Sequence, residues 1–175
     1  MSSDAKMPLH IAEARAQAVL HMIAPLCEKS LIAGSIRRRV AHCGDLDFVV
    51  LPKVGVTSDD LIRPLSAGVQ VFAKGVQNIR LKTLLTDTGI DIFVARREEA
   101  DLLEKIPGNW ATLVVCRTGS RQHNIRICKA AEDLDLRWDP YKGLFTSDGE
   151  LLHIGSEEEL FELVDLPYLK PEDRR

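Results

Sequence analysis

The 175-residue sequence contains no apolar run near the ~20 residues that a membrane-spanning helix needs, and its polar N-terminus is unlike a secretory signal. Internal repeats and low-complexity tracts are also missing. The four cysteines, Cys27, Cys43, Cys116 and Cys128, show neither C-x-x-C spacing nor a regular spacing with histidine. That argues against zinc and points to reduced thiols in a cytoplasmic protein. Nor is there an excess of positive charge. The net charge is -3, whereas a protein that lives on a phosphate backbone is usually basic. Tight, general binding to nucleic acid is therefore disfavoured. The cations that are present are clustered: Arg37 to Arg39; Lys74, Arg80 and Lys82; and Arg117, Arg121, Arg126 and Lys129.

What remains is an ordinary globular composition, 45% hydrophobic and 28% charged, with enough chain for one sizeable core and a small appended lobe. Within it one stretch stands out. Gly34-Ser35 marks a turn, Arg37, Arg38 and Arg39 follow, and Gly44-Asp45-Leu46-Asp47 leads into an apolar run. Side chains at i and i+2 of a strand share a face, so Asp45 and Asp47 should lie side by side near its start. Two carboxylates that close repel unless a cation sits between them, and Mg²⁺ is the usual one where phosphates are handled. Each part alone is commonplace: a solvated acidic step, a basic face, a turn. Together with Asp91, a lone carboxylate opening another apolar strand, they fit a two-metal phosphoryl-transfer site.

The rest of the pattern predicts an α+β domain. Residues 10–28 have helical spacing, with Ala12, Ala16, Val19, Leu20, Ile23, Leu26 and Cys27 apolar. Strands are expected at 31–33, 45–51, 69–72, 79–85 and 90–94, with a short helix from Ser58 and a hairpin turn at 86–89. Beyond residue 98 the pattern predicts helices at 98–105, 110–116 and 120–134, a small β unit at 137–154, and a capped helix from Ser156 to Val164. An extended tail follows. The boundary is placed at 106, with a mixed sheet domain at 1–106 and a helix and hairpin lobe at 107–175.

These residues resemble the nucleotidyltransferase signature of the family X DNA polymerases, the group of DNA polymerase beta. The likeness is carried by Gly34-Ser35-Ile-Arg-Arg38, Gly44-Asp45-Leu-Asp47 and Asp91. It continues in Thr118-Gly119-Ser120-x-x-x-Asn124, Tyr141-Lys-Gly143-Leu-Phe145, Ser156-Glu-Glu-Glu-Leu-Phe161, Leu166-Pro-Tyr168 and Pro171-Glu172. The resemblance implies a polymerase beta-like palm with a small C-terminal nucleotide-binding lobe. It assigns Asp45, Asp47 and Asp91 to two Mg²⁺ ions, with Mn²⁺ as an alternative metal, and places Asp91 near the acceptor hydroxyl. Gly34, Ser35, Arg38 and the Gly44 amide would hold the phosphates of a nucleoside triphosphate, and Gly119, Ser120 and Asn124 its sugar and base. The implied reaction is attack of a DNA 3′-hydroxyl on the α-phosphorus, releasing pyrophosphate. It implies a repair-type polymerase acting on gapped DNA or 3′ ends; with a net charge of -3, a monomer without a membrane partner is expected to bind that DNA weakly and in a salt-dependent way.

The departures are equally definite. The sequence opens where the family's palm begins, so a minimal form without the N-terminal lyase and DNA-gripping domains is expected. Cys116 and Arg117 stand where the family carries two aromatic residues that exclude ribonucleotides, which predicts poor sugar discrimination. Arg39 replaces a glycine. Two other functions remain open: nucleotidyl transfer to a small molecule or protein, and a non-catalytic nucleotide or DNA binder. The motifs after Asp91 favour the polymerase branch, and retention of all three carboxylates disfavours the non-catalytic one.

Overall fold

The computed structural model describes residues 6–100, 105–139 and 141–174. It divides into two compact units, Met1–Val94 and Ala95–Arg175, so the division falls ahead of residue 106, where the sequence reading placed it.

The N-terminal unit is a five-stranded mixed sheet with helices. Helix α1 (Leu9–Ile23) buries Ala12, Ala16, Val19 and Ile23, the positions that its three- and four-residue spacing predicts. It ends before the expected residue 28 because Pro25 opens a short 3₁₀ turn, and the chain from Cys27 is already strand β1 (Cys27–Ile32). A four-residue helical turn, α2 (Gly34–Arg37), connects to β2 (Leu46–Pro52). Helix α3 (Ser58–Ile62) is held by a reciprocal cap between Thr57 and Asp60. Strands β3 (Val69–Lys74), β4 (Asn78–Thr83) and β5 (Gly89–Val94) complete the sheet. Its order is β1-β2-β5-β4-β3. The β2/β5 pair is parallel and the other neighbours are antiparallel.

Alternation along these strands separates two faces. Leu46, Phe48 and Val50 of β2, Ile90 and Ile92 of β5, and Ile79 and Leu81 of β4 enter one core with α1 and α3. The intervening residues, Asp47, Asp91, Arg80 and Lys82, project from the other face.

In the C-terminal unit, Glu99–Ala100 pairs antiparallel with Lys105–Ile106. The helix expected at 98–105 is therefore wrong at both described ends, and residues 101–104 lie outside the described residues. Helices α4 (Trp110–Thr118) and α5 (Arg121–Asp133), a hairpin of β6 (Arg137–Asp139) and β7 (Gly143–Phe145), and α6 (Glu157–Leu163) follow. Their core contains Val115, Ile127, Trp138, Leu144 and Phe161. Arg174 is fully buried in this unit. It donates to Glu157 at 2.7 Å and to the Leu169 carbonyl at 2.9 Å, and its guanidinium lies over the Phe161 ring. A buried charge survives only with such partners. The four cysteines are free thiols.

Candidate active site

The register of the N-terminal sheet settles which polar side chains meet. In the parallel β2/β5 pair Asp47 stands opposite Asp91, and in the antiparallel β5/β4 pair Asp91 stands opposite Arg80. Asp47, Asp91 and Arg80 thus form one row across three strands, on the face away from the core. One step along, Lys82 is opposite Gly89. The Asp45 side chain lies above that glycine, its Cβ 3.7 Å from where a Gly89 Cβ would sit. The i, i+2 spacing read from the sequence therefore puts Asp45, Asp47 and Asp91 on one face, with Asp45 exposed and the other two half-buried.

The Gly34-Ser35 turn abuts this row. Gly34 is buried with φ +58, a backbone region that glycine enters without penalty. Its bare Cα faces the Asp47 carboxylate, so closely that a Cβ there would overlap Asp47 Oδ2. The Ala33 amide donates to the Asp47 carbonyl at 2.8 Å, which ties the turn to the strand. Ser35 and Arg38 are half-buried beside it. Burial pulls the Arg38 guanidinium below its ordinary value, and the charge of Asp47 pushes it back up. The space around Gly44 is open, with nothing within 4 Å of its Cβ position. Arg39, at the position where the resemblance has glycine, adopts φ 55, in the left-handed region.

A cavity of about 540 Å³ opens on the same face, lined by Asp45, Gly89, Asp91, Arg80, Lys82 and Phe72 among others. Phe72 is 61% exposed and sits at the register shift between Val71 and Ala73 on edge strand β3. Arg80 Nε lies 3.3 Å from Asp91 Oδ1, and Lys82 Nζ lies 2.7 Å from Asp87 Oδ2. Three carboxylates are the hard oxygen donors that Mg²⁺ or Mn²⁺ takes, so their chemistry fits such ions. Their present placement is looser. Among the described residues, no three His, Cys, Asp or Glu side chains converge as a metal-binding group.

The sequence reading noticed Arg80 only as a member of a basic cluster and did not single out Phe72 or Gly89. The alternation Ile79-Arg80-Leu81-Lys82 was the available signal for Arg80, since it sends both cations to the face of the acids.

The remaining expected residues lie in the C-terminal unit. The Gly119-Ser120 peptide bond is cis. Ser120 caps α5, its hydroxyl accepting from the His123 amide at 3.3 Å. The Asn124 side-chain amide donates to the Cys116 carbonyl at 2.8 Å, and its oxygen is buried beside His123. Arg117 lies over the Tyr141 ring, 4.7 Å from its centre. Burial and the nearby Arg174 charge bring the His123 imidazole down to about 4.

Residues 113–175 match the family model of the DNA polymerase beta thumb. Two structures of Leishmania infantum polymerase beta have the same fold. The ternary P/T complex matches with a TM-score of 0.74 at 18% identity, covering 97% of this chain and 77% of that one. The ternary gap complex matches with a TM-score of 0.75 at 18% identity, covering 97% and 70%. No curated protein matches the sequence. The expected α+β class and the resemblance to polymerase beta, read from the motifs, are borne out. No helix among the described residues is long and apolar enough to cross a membrane.

Proposed function

We propose that this polymerase beta-like chain, with a polymerase beta thumb in its C-terminal unit, is a metal-dependent nucleotidyltransferase that extends a DNA 3′-hydroxyl. The N-terminal unit acts as the palm and the C-terminal unit as a nucleotide-binding lobe. One observation carries the reading above the others. Asp47 and Asp91 stand in register on adjacent parallel strands, with Asp45 one step along the same face.

In this reading Asp45, Asp47 and Asp91 hold two Mg²⁺ or Mn²⁺ ions, which when bound supply charge neutralisation at the triphosphate and at the attacking oxygen. Gly34, shaped to the Asp47 carboxylate, fixes that ligand in place. Ser35, Arg38 and the open Gly44 amide grip the β and γ phosphates, and the half-buried guanidinium gives Arg38 the stronger charge-assisted bonds. Asp91 orients the acceptor hydroxyl for in-line attack on the α-phosphorus. The O–P bond to the primer forms as the bond to pyrophosphate breaks, the hydroxyl proton passing to water, and positioning supplies much of the rate. Gly119, Ser120 and Asn124 line the sugar and base of a nucleotide.

The match to a polymerase beta thumb favours DNA over a small-molecule or protein acceptor. With a net charge of -3, binding to gapped or 3′-ended DNA should be weak and steeply salt-dependent. The test is Asp45→Asn with labelled nucleotides and single-stranded, gapped and blunt DNA in Mg²⁺. Transfer should fall by more than the ~100-fold that losing a supporting residue of a metal site costs. Full activity at saturating Mg²⁺ would overturn the assignment.

A further inference from the structure

The row that brings Asp47 and Asp91 together does not end on a carboxylate. Arg80 closes it, with Nε 3.3 Å from Asp91 Oδ1. Ile79 and Leu81 are locked in the core, so the alternation of β4 leaves the Arg80 side chain only the face that carries the acids. The pair is exposed on the arginine side, 62% against 24% for the aspartate, and exposed pairs of this kind contribute little to folding. It does have a consequence for ligation. An oxygen that accepts from a guanidinium offers less electron density to a cation, and the fixed positive charge repels a second one.

The neighbours of Arg80 give it somewhere else to go. The residue opposite it on β3 is Ala73, whose small side chain leaves the way to the sheet edge open. Beside it on the same strand is Phe72, whose exposed aromatic ring lines the same cavity as Arg80 and Asp91. Lys82, one row away, is held differently, by Asp87 at 2.7 Å.

Resting on the metal-site reading above, we propose that Arg80 is a displaceable internal counter-ion. In the metal-free chain its guanidinium neutralises Asp91. Metal entering at Asp91 exchanges for it, and the arginine moves off toward Ala73 and Phe72. Arg80 is thus a positioning residue that sets the metal affinity of the site and keeps Asp91 neutralised until a divalent ion arrives.

The test uses the full chain and Mn²⁺, with free Mn²⁺ measured by electron paramagnetic resonance. Arg80→Met should bind Mn²⁺ about threefold to tenfold more tightly than the unaltered chain, the range in which a weak competing ion pair acts. Arg80→Lys, which keeps the charge, should stay near the unaltered value. Lys82→Met removes a charge from the same cavity without touching Asp91 and should change affinity less. Against an Asp91→Asn background, Arg80→Met should have no effect. Equal effects of Arg80→Met and Lys82→Met would mean background charge alone and overturn the proposal, as would unchanged or weaker binding in Arg80→Met. Failure of every form to bind Mn²⁺ would overturn the metal-site reading itself, and the counter-ion role with it.

Discussion

Replacing Gly34 by alanine tests the active-site geometry with one methyl group. Two costs arise, and the structure separates them. The first is conformational: at φ +58 an L-residue pays about 1–2 kcal/mol relative to its ordinary basins. The second is steric. The new Cβ would overlap Asp47 Oδ2 and come within 2.7 Å of Cγ and 2.9 Å of Cβ, where 3.4 Å is already ordinary contact. The carboxylate must therefore retreat by about 1 Å, a displacement that at a catalytic constellation typically costs ~100-fold in rate. Gly55→Ala is the matched control. Its φ is +82, so the conformational cost is similar, yet nothing lies within 4 Å of its Cβ position. Urea denaturation should show both variants destabilised by about 1–2 kcal/mol, with Gly34→Ala the lower of the two. Single-turnover nucleotide addition should fall about a hundredfold in Gly34→Ala alone. Equal rates in the two variants would refute the claim that Gly34 positions Asp47.

Two further outcomes follow from other parts of the chain. Arg39 sits at φ 55, so Arg39→Gly should raise stability by about 0.5–1 kcal/mol in denaturant titrations, once the entropy of the unfolded glycine is subtracted from the relief. A loss of stability would show that the arginine side chain holds contacts worth more than its backbone strain. His123 falls from an ordinary 6.5 to about 4 on folding, so the unfolded chain binds its proton first. Its contribution is complete above pH 6.5 and is lost as pH falls toward 4, by an amount on the order of 2–3 kcal/mol. Comparing stability with His123→Gln across that window checks it, and parallel pH profiles for the two proteins would show that the imidazole is not held neutral.

The sheet and its acids were readable because period-two alternation survives in the sequence. Leu46, Phe48 and Val50 point one way, Asp45 and Asp47 the other, and the same rule locates Asp91 beside Ile90 and Ile92. The partner of Asp91 was not readable. That Arg80 stands opposite it depends on the register between two strands, which tertiary pairing sets and no single segment encodes. Residues 98–105 misled for a related reason. Glu98-Glu99-Ala100 and Glu104-Lys105 have high helix propensity, yet the described ends pair as strands, and pairing outweighs so weak a local preference. The end of α1 was misjudged by weighing the apolar spacing of Leu26 and Cys27 above the missing amide of Pro25. The left-handed backbone of Arg39 leaves no trace in its own side chain.

The seam between β2 and β5 also bears on the order in which the protein is built. Strands β3, β4 and β5 follow one another closely and pair as a local meander, so they can form early. The parallel partner β2 comes from far earlier in the chain, and closing that long loop belongs to the slow, non-local part of folding. Asp91 therefore meets Arg80 within the meander before Asp47 arrives from across the seam. The incoming strand thus meets a carboxylate that already has a cation beside it, Arg80 Nε lying 3.3 Å from Asp91 Oδ1.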